Sequence, residues 1–126
     1  MREYYRQKLG EVQEDLVRMG YQVAEALDSV SKALENWDVD LAWKIIAGDE
    51  LIDRVQVHLE ETALLLMATQ QPLATDLRIL LSVISIASEL ERMGDYVKGI
   101  AKGILRAVKT PKLLDIPAEL HEMCRQ

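Results

Sequence analysis

The sequence predicts an all-α fold: an up-down-up bundle of three long helices, followed by a short fourth helical segment at the C-terminus. Three observations predict it. The chain of 126 residues has no Phe and only three Pro and six Gly, and it is rich in Leu, Ala, Glu and Arg, the residues that favour helix. Apolar residues recur every three or four positions along three long stretches, as a core-facing helical seam requires. Short breaks at 36–38 and 70–72 separate those stretches and force neighbouring helices to run antiparallel. A chain that is 49% hydrophobic can bury one modest core. At ~1.5 Å per residue each helix is roughly 45 Å long.

The first helix is expected over 4–34. Its seam is Leu9, Val12, Leu16, Met19, Val23, Ala26, Val30 and Ala33, opposite a polar face with Glu11, Arg18, Glu25 and Lys32. Asn36, Trp37 and Asp38 break it, with Asp38 placed to cap the next helix. Trp37 and Trp43 read as aromatic plugs at this end, or one of them as an interface residue. The second helix is expected over 39–69, with the seam Leu41, Ile45, Gly48, Ile52, Val55, Leu59, Thr62 and Leu66. Gly48 inside a helix costs stability, which suggests close approach of a neighbouring element there. Beside that seam runs a polar file of Asp49, Asp53, Gln56 and Glu60.

Pro72 ends the second helix and opens the third, expected over 72–107 with Thr75 or a nearby polar residue as its cap. One stripe of the third helix is Ile79, Val83, Ile86, Leu90, Met93, Val97, Ile100 and Ile104, assigned to the core. A second stripe, Leu77, Leu80, Ile84 and Ala87, runs into Glu91 and Asp95. At about 100° per residue Glu91 falls within roughly 20° of Leu80 and Ile84, so carboxylates stand where the pattern asks for hydrophobes. Arg92 and Lys98 are candidate counter-charges for these acids, read as pointing elsewhere on the helix. Thr110 and Pro111 stop the helix, and Pro117 starts a last segment that ends at Gln126, as a chain cut within a helix does. The expected division is therefore 1–110 as one helical unit and 111–126 as linker and the start of a following helix.

Spacing brings the acids together. Asp53 lies 19 residues before Pro72 and Glu91 lies 19 after it, while Asp49 and Asp95 lie 23 residues away on either side. Four carboxylates at matched levels can converge across one groove, where mutual repulsion opposes a fully charged, metal-free site. Oxygen-only donors suit magnesium, calcium or manganese and can hold iron or zinc. The competing reading makes these acids flank charges, hydrated or paired with Arg54 and Arg92.

Other chemistries find no support. Neither His58 nor His121 has Glu three residues before it, against a di-iron oxidase bundle, and His58 reads as a surface residue. No serine relay and no glycine-rich phosphate loop are present, so no enzymatic activity is expected. A net charge of -6 argues against a nucleic-acid face. Cys124 is the single cysteine, so no intrachain disulfide can form. No stretch has the length of a membrane span or the apolar core of a signal peptide, which suits a cytoplasmic protein.

The motif-bearing residues are Asp49-x-x-Ile52-Asp53, Gln70-Gln71-Pro72-x-Ala74-x-Asp76-Leu77-Arg78, Glu89-Leu90-Glu91-Arg92-Met93-Gly94-Asp95 and Ile100-Ala101. In these the sequence resembles the PhoU-type regulators of phosphate uptake and phosphate signalling. The resemblance implies a three-helix PhoU-like repeat, with the first repeat and the start of a second present. It also implies a non-enzymatic, cytoplasmic negative regulator that reaches the membrane only through partners. Those partners would be the ATPase subunit of the phosphate transporter and a sensor histidine kinase. By the same resemblance Asp49, Asp53, Glu91 and Asp95 would hold an iron or zinc cluster. The alternatives left open are a metal-storing bundle and a structural bundle that only self-assembles. The surplus apolar stripe of the third helix predicts a homodimer.

Overall fold

A computed structural model describes residues 2–70, 72 and 74–109. Three α-helices fill that range: α1 (Arg2–Asn36), α2 (Val39–Gln70) and α3 (Ala74–Lys109). Each packs on both others, which makes a three-helix bundle of the expected class. The fourth helical segment and the 111–126 unit lie outside the described residues.

The α1–α2 corner follows from local chemistry. The Asp38 amide donates back to the Ala33 carbonyl at 3.0 Å, with Trp37 between them at φ 50° in the left-handed region. That is the six-to-one closure of a helix end, with tryptophan where glycine is usual. Asp38 then caps α2, its Oδ1 accepting from the Leu41 amide at 3.1 Å, as its position in the sequence predicts. Trp37 packs against the core of this end, which helps a strained backbone to persist. Trp43 does not plug the bundle. It stands exposed, with Lys109 Nζ 5.9 Å from its ring centroid, a cation–π pairing between α2 and α3. At the other turn α3 begins at Ala74, so Thr75 sits within the first helical turn rather than capping it.

Two hydrophobic clusters fill the bundle. One, toward the Pro72 turn, includes Val12, Met19, Leu59, Leu66, Leu80 and Val83. The other, toward the Trp37 corner, includes Val30, Ala33, Ile45, Val97, Ala101 and Ile104. The α1 seam is as expected, with Leu9, Leu16 and Ala26 at its partly buried margins and Asp15 buried within it.

The seams of α2 and α3 differ from expectation by a small rotation. In α2 the buried line is Ala42, Ile45, Asp49, Ile52, Gln56, Leu59, Ala63 and Leu66. Asp49 and Gln56 are thus members of the core-facing line, not of a file beside it. In α3 the buried line is Leu80, Val83, Ala87, Gly94, Val97, Ala101 and Ile104. Ile86 and Met93, assigned to the core by periodicity, are exposed.

Candidate metal centre

Between the two clusters the core turns polar, and the acids account for it. Asp49 is 4% exposed. α3 presents Gly94 opposite it, where an added Cβ would make ordinary contact, 3.4 Å from Asp49 Oδ1. Gly94 is therefore the glycine at a close helix approach. Gly48, expected to play that part, has nothing within 4 Å of the place its Cβ would occupy.

Asp49, Asp53 and Asp95 each offer one carboxylate oxygen to a group in which all three atoms lie within 4.8 Å of one another. Oxygens around one hard cation, each about 2.0–2.6 Å from it, fall within that spread. Glu91, the fourth acid expected, stands apart from this trio. Its Oε2 accepts from Gln56 Nε2, and the same amide donates to Glu60 Oε1 at 3.1 Å. Gln56 lies 16 residues before Pro72 and Glu91 lies 19 after it, a stagger of about three residues relative to the symmetric count.

The electrostatics are unfavourable for bare carboxylates. Burial raises the pKa of Asp53, and the charges of Asp49, Asp95 and Glu91 raise it further, while Lys98 lowers it. Lys98 Nζ stands 3.4 Å from Asp49 Oδ2, within ion-pair distance, yet that buried oxygen accepts no hydrogen bond. Lys98 thus supplies the compensation expected of it, but it does not point elsewhere on the helix: seven residues after Glu91, it lies about 20° from it around the axis. Arg54 and Arg92 do not neutralise the group: they pair with Glu50 at 4.0 Å and Glu89 at 3.3 Å on their own helices. A cavity of about 340 Å³ opens beside Asp49, lined by residues of all three helices, and Gln22 Oε1 on its wall is also buried without a hydrogen-bond partner among the described residues.

An all-oxygen trio containing a buried carboxylate with an unsatisfied oxygen fits a hard cation. His58 adds no nitrogen ligand to the group. Its Nδ1 meets Asp15 Oδ2 at 2.7 Å, joining α2 to α1 across the bundle. Sequence reading missed that pair because a buried Asp and its partner on another helix leave no spacing signal.

The family profile described as "PhoU domain" matches residues 16–104, which include most of all three helices and every acid of the group. The chain belongs to the PhoU family. It is 37% identical over 106 residues to the phosphate-specific transport system accessory protein PhoU homolog of Aquifex aeolicus, covering 84% of this chain and 48% of that protein. The corresponding PhoU homolog of Streptococcus pneumoniae is 37% identical over 123 residues, 98% of this chain and 56% of its own length. The PhoU protein of Escherichia coli K12 is 32% identical over 98 residues, 78% and 41% respectively. The chain thus spans about half the length of the curated PhoU relatives it matches. Among the described residues no helix is long and apolar enough to cross a membrane.

Proposed function

We propose that this PhoU-family chain is the three-helix unit of a non-enzymatic regulator of phosphate uptake and phosphate-starvation signalling. The alignment carries this reading, because it runs through nearly the whole chain to proteins named as accessory to phosphate-specific transport. The regulator is cytoplasmic and works by contact, with the ATPase subunit of the phosphate transporter and with a sensor histidine kinase.

Asp49, Asp53 and Asp95 hold a cation in this reading, and Glu91 supplies a further carboxylate at the edge of the group. A bound cation would offset the negative charge gathered between α2 and α3 and so tie the two helices together. An iron or zinc cluster fits the family, and magnesium, calcium or manganese fit the all-oxygen donors.

The regulatory half of the proposal is tested in cells grown with abundant phosphate. The full-length parent, tagged and recovered intact, should carry the transporter ATPase or the sensor kinase with it. Recovery of neither, with the parent well expressed, would count against a regulator that acts by contact.

A further inference from the structure

The Asp49 carboxylate is fixed and buried, whereas its cationic neighbour is not. The Asp49 side chain is 5% exposed and that of Lys98 is 30% exposed, with Nζ and Oδ2 3.4 Å apart. Oδ2 accepts no hydrogen bond, so the ammonium is the only compensation it has among the described residues. The nearby arginines are engaged on their own helices. A lysine ammonium is a compact point charge on a flexible stem, able to leave a carboxylate and reach water without moving a helix. The aspartate has no such freedom.

We propose that Lys98 is a tethered counter-ion for this site, holding the charge of Asp49 when no cation is bound and withdrawing to solvent when one enters. The proposal rests on the reading that Asp49, Asp53 and Asp95 take a cation. A metal ion coordinated by Asp49 cannot share Oδ2 with an ammonium at 3.4 Å without like-charge repulsion. Metal that takes this oxygen therefore displaces Lys98, and the observed affinity is the intrinsic affinity reduced by the fraction of time the lysine holds the site. The same lysine lets the metal-free bundle tolerate the buried Asp49 beside the half-buried Asp53 and the exposed Asp95. Lys98 thereby sets the cation concentration at which the site fills.

Manganese chloride titrated into the chelator-stripped chain tests this, with melting followed by circular dichroism. The Lys98→Met variant keeps the length of the stem and removes the charge. It should bind manganese roughly five- to tenfold more tightly than the parent and melt lower than the parent when metal-free. Lys98→Arg, which keeps the charge, should bind no more tightly than the parent. Unchanged or weaker binding by K98M, with the parent still binding manganese, would overturn the role of Lys98 and leave the cation site standing. Should neither parent nor K98M bind manganese, nor magnesium, calcium, iron or zinc titrated in the same way, the cation site and the counter-ion role fail together.

Discussion

Asp53 ionises against its surroundings. Burial, then the carboxylates of Asp49, Asp95 and Glu91, lift its pKa above the ordinary aspartate value of 3.8, and Lys98 offsets part of that. A raised acid binds its proton more tightly in the folded state, so protonation favours the fold. The stability it contributes is fully present below the unfolded value and is lost as pH rises through the raised folded value. In chelator, Asp53→Asn should therefore stabilise the chain at neutral pH, by a margin that shrinks as pH falls toward 3.8. Denaturant melts of parent and variant across pH 3 to 7 measure this; a margin independent of pH would refute it. Glu91 and Asp95 were legible from sequence because carboxylates interrupt an apolar stripe, and Asp49 and Asp53 because they lie at matching distances from Pro72. The partners of the acids were not. Gln56 and Gly94 reach Glu91 and Asp49 from the other helix, which a single-helix projection does not show; Lys98 alone was within its reach, about 20° from Glu91.

At the scale of the element, helix ends and lengths were readable because Asp38 and Pro72 carry local backbone chemistry. The facing of α2 and α3 was read a little askew, for one physical reason. Preferring large apolar residues chose Val55 over Gln56, and Ile86 and Met93 over Ala87 and Gly94. The fold buries the polar and small residues instead: Gln56 finds Glu91, and Gly94 faces Asp49 and Ile52. Ile86 and Met93, so displaced, join Leu81 and Tyr96 among the exposed residues of α3, the last at 74%. Scattered apolar residues are ordinary on a surface, but four on one helix favour burial against a second copy. Light scattering from micromolar to millimolar protein should show a dimer that Ile86→Glu and Met93→Glu weaken. A monomer throughout that range would refute the dimer.

Across the whole molecule, two apolar clusters are joined through a layer containing Asp49, Asp53, Gln56, Glu91 and Lys98. Such a layer weakens a bundle unless each charge is met, since leaving a buried carboxylate uncompensated is costly. A cation there would turn the weakest level of the bundle into a tie between α2 and α3. The most direct measurement is elemental analysis of the purified chain, paired with thermal melts of the chelated and metal-reloaded protein. Bound metal should be found. At a cation concentration about a hundred times Kd, reloading should stabilise the fold by about 2.7 kcal/mol, which raises Tm by roughly 10 °C in a domain of this size. Asp49→Asn should abolish that rise and Glu91→Ala should reduce it. No bound metal, together with melts unmoved by chelator or by added magnesium, calcium, manganese, iron or zinc, would contradict the cation site.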